Sequence, residues 1–163
     1  MKIPVKHKSV TAVGYLMLRI NNPVQEEVLK MIDPADLADS GLEHDPHVTI
    51  LMDVDPKLAP EEILSNAREL LPNFDVVLDQ VSLFENEDND VLKWDANLGW
   101  LEGYHSELKN RLNVTEHYPD YHPHCTIAYI KSGLGKKYVE LLQSYKNIIC
   151  QKKDINYSLI QEI

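Results

Sequence analysis

The stretch DPHVTILMDV (residues 45–54) shares Pro-His-x-Thr-Ile with YHPHCTIAYI (residues 121–130), and only the x differs. The two histidines, His47 and His124, stand 124 − 47 = 77 positions apart. Each copy opens a β-branched, apolar run that reads as a strand. Side chains in a strand alternate between faces, so His47 and Thr49 share one face while Val48 and Ile50 share the other. His124 and Thr126 do the same opposite Cys125 and Ile127. Each strand therefore offers an imidazole and a hydroxyl to one space and an apolar side to a core.

Working outward, the two strands sit in similar surroundings. A strand is expected over 9–20, a helical unit over PVQEEVLKMIDPADLADSG closed by Gly41, and a helix over 59–72 with Pro60 at its start and Glu61 and Glu62 in its first turn. Residues 74–85 and 91–98 read as the two arms of a hairpin around an acidic turn. Helices are expected over 99–112 and 134–147, with one or two closing strands after 148. Each motif strand is thus preceded and followed by helical sequence. The expected fold is α+β, a single bilobal domain over 1–163. Two pseudo-symmetric strand–helix lobes with mainly antiparallel sheets would flank a central cleft that carries both His-x-Thr motifs.

Composition narrows the partners. The chain has 163 residues, enough for one domain, and 44% of them are hydrophobic. Sixteen Lys and Arg against 26 Asp and Glu give a net charge of −10. The basic residues are scattered, with no stripe of the kind that grips long RNA or DNA. No apolar run reaches the roughly 20 residues needed to span a bilayer, and the N-terminus reads as a strand rather than a signal peptide. Two cysteines are too few for a disulfide framework, which points to a reducing cytoplasm.

Two imidazoles and two hydroxyls in one cleft suit phosphodiester chemistry without a metal. One neutral histidine takes a proton from an attacking hydroxyl, and the other, as imidazolium, gives one to the leaving oxygen. The threonines donate hydrogen bonds to the non-bridging phosphate oxygens. A metal site is the competing reading, because His44 and Asp45 flank the first motif and Asp120 and His122 the second. It accounts for neither threonine, so no metal and no cofactor are assigned. A third reading is a binder that holds a nucleotide or a metal without turnover.

The paired His-x-Thr strands, half a chain apart, resemble the two-histidine (2H) phosphoesterase superfamily, which includes RNA 2′-5′ ligase-like proteins and cyclic phosphodiesterases. The resemblance covers nearly the whole chain and implies catalytic roles for His47, Thr49, His124 and Thr126. Small size, acidity and the context GLEHDPHVTILMDV are similar to the phage anti-CBASS nucleases. That narrower likeness implies a cyclic di- or trinucleotide substrate, such as 3′,3′-cyclic GMP–AMP, and action in a bacterial host's cytoplasm against an immune signal. The alternative within the superfamily is 2′,3′-cyclic phosphates or 2′-5′ RNA ends. The bases of a cyclic nucleotide need stacking platforms, for which Tyr15 and Trp94 are candidates. By strict alternation Tyr129 falls opposite Thr126 and is expected to pack.

Overall fold

The computed structural model describes residues 11–115 and 120–162. The first two residues of the expected opening strand, and His117, lie outside them. Eight strands, β1 (Thr11–Asn21), β2 (Leu37–Leu42), β3 (His47–Val54), β4 (Val76–Leu78), β5 (Val81–Glu85), β6 (Asn89–Asp95), β7 (His124–Lys131) and β8 (Ile148–Glu162), form one antiparallel sheet. Its order is β4-β8-β1-β3-β7-β6-β5, with β2 also paired to β7. Four helices accompany it: α1 (Gln25–Leu29), α2 (Pro60–Leu70), α3 (Leu101–Arg111) and α4 (Lys136–Leu141). None is long and apolar enough to cross a membrane.

Strand order alone requires a curled sheet. β4 and β5 lie at opposite ends of the order, yet only Asp79 and Gln80 separate them in the chain. Two residues reach less than about 10 Å, so the ends must approach each other. Backbone bonds tie this link to β6, Asp79 N–H to Asp95 O at 2.7 Å and Asp95 N–H to Gln80 O at 2.9 Å. The hairpin expected over 74–98 is therefore β5 with β6, while 76–78 departs to pair with β8.

The two halves are related by an interleaved repeat. One unit runs β1, α1, β3, α2 and the other β6, α3, β7, α4. In each, the first strand pairs with its own motif strand, β1 with β3 and β6 with β7. The first helix, however, crosses over: α1 packs on β7 and α3 on β3. The helix face follows from spacing. Leu101, Tyr104, His105 and Leu108 of α3 are buried at i, i+3, i+4 and i+7. Ile63 and Ala67 do the same for α2, whose first turn holds Pro60, Glu61 and Glu62.

One sequence expectation fails on length. The helical unit expected up to Gly41 is only five residues of helix, a 3-10 turn over Pro34–Asp36 and then β2. The helix ends at its cap Lys30, where Met31 and Ile32 bond back three residues to Val28 and Leu29; Pro34 then opens the 3-10 turn, which the Asp33 carboxylate caps by accepting from the Ala35 amide at 2.9 Å. Ala38, Asp39, Ser40 and Gly41 have little strand preference of their own; β2 is held to β7 at its ends, Leu37 opposite Ile130 and Leu42 opposite Ala128, with a register shift between. Of the one or two closing strands expected after 148, the segment forms one, 15 residues long.

Candidate active site

β3 and β7 meet in the middle of the sheet through one bridge, Val48 opposite Cys125. Both x residues of the repeated pentapeptide are thus fully buried at this seam. Because the strands run antiparallel, the bridge directs His47 toward the Thr126 end of β7 and Thr49 toward the His124 end. The imidazoles are near enough for the charge of His47 to be felt at His124.

Both histidines are held by the same hook. His47 Nδ1 lies 2.8 Å from the carbonyl of Asp45, and His124 Nδ1 lies 2.8 Å from the carbonyl of His122. A carbonyl only accepts, so each Nδ1 carries the proton and each Nε2 is left for chemistry. The intervening proline makes the hook. Pro46 and Pro123 force the preceding residue into extended backbone, which sets its carbonyl beside the ring two positions on. Arg19, opposite His47 on β1, fixes the first hook further by binding Asp45 at 3.1 Å and Asp154 at 3.0 Å.

The isoleucine of the pentapeptide has its own role. In β3 the register steps from Thr49 opposite Met17 to Leu51 opposite Leu16, leaving Ile50 as an extra residue. In β7 it steps from Thr126 opposite Lys93 to Ala128 opposite Leu92, leaving Ile127 extra. Each motif therefore ends in a β-bulge directly after its threonine. Two successive residues turn inward, Ile50 with Leu51 and Ile127 with Ala128, all fully buried. Alternation then resumes one step out of phase. This corrects the expectation for Tyr129, which falls on the same face as Thr126.

A bulge strips carbonyls of their ladder partners. The crossing helices replace them. Gln25 of α1, buried, donates from Nε2 to Thr126 O at 3.3 Å and to Glu43 O at 2.8 Å. His105 of α3, also buried, puts Nδ1 2.7 Å from Ile50 O. Tyr121 stacks on His105 with ring centroids 3.8 Å apart, and its hydroxyl donates to Thr49 O at 2.7 Å. Sequence reasoning left His105 without a role and passed over Gln25.

The second half-site contains charged groups that the sequence reading did not single out. Lys93, paired with Thr126, is buried; its ammonium donates to Ser82 Oγ at 2.6 Å and to Asp95 Oδ1 at 2.7 Å. It lies 4.1 Å from the centroid of the Phe84 ring, whose edge meets the His124 ring at 5.0 Å. Burial works against the Asp95 charge, but hydrogen bonds from Lys93 and Ser82 outweigh it and hold the carboxyl below its ordinary range. His124 is pushed below the ordinary histidine value, first by burial and then by the positive charge of Lys93 and by His47.

Beside these groups opens a cavity of about 440 Å³ lined by Thr49, Met52, Phe84, Tyr121 and His124 among others. Tyr15 lies on the same face of β1 as Met17 and Arg19, which pair with Thr49 and His47; it is half-buried and outside the cavity lining. Trp94 is not a stacking platform. It is fully buried and donates from Nε1 to the Tyr145 carbonyl at 3.0 Å. Strand alternation explains this, because the cleft takes Lys93 and Asp95 and the core takes the indole between them. As for a metal centre, His44 pairs instead with Glu26 at 3.2 Å. Among the described residues no group of three or more His, Cys, Asp or Glu side chains is arranged to hold an ion.

Against known proteins, the sequence profile described as the 2′-5′ RNA ligase superfamily matches residues 22–134, a span that contains both motif strands. No curated protein sequence matches. Among solved structures the fold is similar to one titled "Crystal Structure of MHV ns2 PDE Domain", with a TM-score of 0.52 and 14% identity over 91% of this chain and 99% of that one.

Proposed function

The chain belongs to the 2′-5′ RNA ligase superfamily of two-histidine phosphoesterases, and from that membership we propose that it is a metal-independent phosphodiesterase that opens the 3′-5′ linkages of cyclic di- and trinucleotides. The observation that carries the reading is the pair of identically hooked imidazoles, each with Nε2 free and a threonine two residues on, on adjacent antiparallel strands.

The ribose 2′-hydroxyl beside the scissile phosphate loses its proton to one Nε2 as its oxygen bonds to phosphorus. The bond from phosphorus to the 5′-oxygen breaks, and that oxygen takes a proton from the other Nε2. A linear product with a 2′,3′-cyclic phosphate results, which water opens by the same two groups in reverse roles. Thr49 and Thr126 hydroxyls would stabilise charge on the non-bridging oxygens. A net charge of −10 disfavours long polyanions and leaves a short, compact substrate as the better fit. On this reading the protein removes a cyclic-oligonucleotide immune signal, the anti-CBASS role of a phage protein.

The test is cleavage in excess chelator of 3′,3′-cyclic GMP–AMP, a cyclic triadenylate, 2′,3′-cyclic AMP and a 2′-5′ diadenylate, with products identified by mass. Cleavage of the first two, abolished in His47→Ala and His124→Ala, supports the proposal. Cleavage of only the last two would assign the site to RNA ends, and activity that needs added metal would overturn the mechanism.

A further inference from the structure

The two hooked histidines have matching backbone settings but unlike neighbours. A carboxylate, Glu43, lies 4.0 Å from Nδ1 of His47. On the His124 side stands the buried Lys93 ammonium, held on the adjacent strand by Asp95 and Ser82 and faced by the Phe84 ring that also touches His124. We propose that Lys93 is a positioning residue that acts through His124: its buried charge opposes a second positive charge on that imidazole, making His124 the proton acceptor of the first step and His47 the donor. The inference rests on the phosphodiesterase reading for its catalytic meaning, but its physical core is a statement about one ring.

The geometry gives the network its sign. Lys93 and Asp95 flank the inward-pointing Trp94, so both are confined to the face that carries His124 and Thr126. Asp95 stands directly opposite His124 in the register and Lys93 opposite Thr126. With 6% of its side chain accessible, Lys93 is poorly screened by water. Asp95 is more open, at 24%, and shares its Oδ1 between Lys93 and Ser82, which spreads its charge away from the imidazole. The other groups facing His124 are His47 from β3, Asp53 at the end of β3, and Asp120, Tyr121 and His122 on the approach to β7. Lys93 and His47 act on His124 in the same direction as burial, and Asp95 acts against them.

Removal of either partner should move His124 in opposite directions, which a merely structural role would not do. The experiment is a titration of the histidine ring resonances by two-dimensional NMR on the intact protein without substrate, with His124 assigned by its loss in His124→Gln. In Lys93→Met, Asp95 is left unbalanced and the His124 titration moves to higher pH. In Asp95→Asn, Lys93 is left unbalanced and it moves lower. The double variant falls between the two. Where turnover is measurable, the acidic limb of the pH–rate profile moves the same way in each variant. Equal titration in wild type and both single variants overturns the proposal, as does a shift of the same sign in both. Should Lys93→Met fail to fold, Lys93→Gln, which keeps a neutral donor for Ser82 and Asp95, is titrated in its place, and an unshifted or lowered His124 titration there overturns the proposal. Because the titration needs no substrate, it stands or falls separately from the cleavage assay.

Discussion

Thr49 and Thr126 illustrate how little of a site one side chain defines. Each hydroxyl follows an imidazole by two positions and precedes a bulge, but Thr126 is buried while Thr49 lines the open cavity. Replacement by valine keeps the shape and deletes one donor to the phosphate. Such a loss costs about 10²–10³ in kcat where the donor acts on the transition state. Both variants should fall in that range with little change in KM, measured on whichever cyclic dinucleotide is cleaved. Wild-type kcat in either would remove that threonine from the phosphate site. The histidines and threonines could be read from the sequence because they repeat. Lys93 and Asp95 could not, since neither type is repeated and the conspicuous side chain between them, Trp94, drew the functional reading to itself. A strict inside–outside reading of Lys-Trp-Asp on a strand would have reversed that choice.

Strands and helices were legible where local pattern and final position agree. α2 declares itself through Pro60 and the acidic first turn, α3 through spacing, and β3 and β7 through β-branched runs. β2 was hidden because its middle residues are poor strand formers and only its end leucines, Leu37 and Leu42, pair with β7. The bulges were hidden because a register step belongs to two strands, and one strand's sequence records only half of it. The repeated isoleucine was the available signal. The helical caps on these bulges also have a cost if removed. Gln25→Leu leaves the carbonyls of Glu43 and Thr126 without their side-chain donor, and each buried unsatisfied group costs roughly 1–3 kcal/mol. Chemical denaturation should show a loss in that range. A variant as stable as wild type would mean that these carbonyls do not depend on Gln25.

The fold as one body responds to acid through the same groups that serve the site. His124 is held below its ordinary value in the folded chain, so the unfolded chain binds that proton first as pH falls. Its contribution is full above about pH 6.5 and is lost progressively below it. Asp95 and Asp36 are held below the ordinary carboxylate value, and their contributions are lost only at lower pH, as pH falls from about 3.9 through their folded values. For Asp36 the cause is hydrogen bonds from Lys137 and Tyr138. The unfolding free energy of wild type should therefore decline between pH 7 and 5 more steeply than that of His124→Gln. Parallel curves for the two proteins would contradict the burial of that imidazole.

The seam between the halves has one more consequence. Val48 and Cys125 supply the bridge between β3 and β7, and the Cys125 thiol is inaccessible, with burial raising its pKa well above the ordinary value. An alkylating reagent reaches that sulfur only when the packing around β7, including Gln25 of α1 4.0 Å from it, opens, so the labelling rate acts as a clock for opening of this seam. In a Cys150→Ala background, a bound substrate that spans both half-sheets should slow the clock, and one confined to the Phe84 side should leave it running at its original pace.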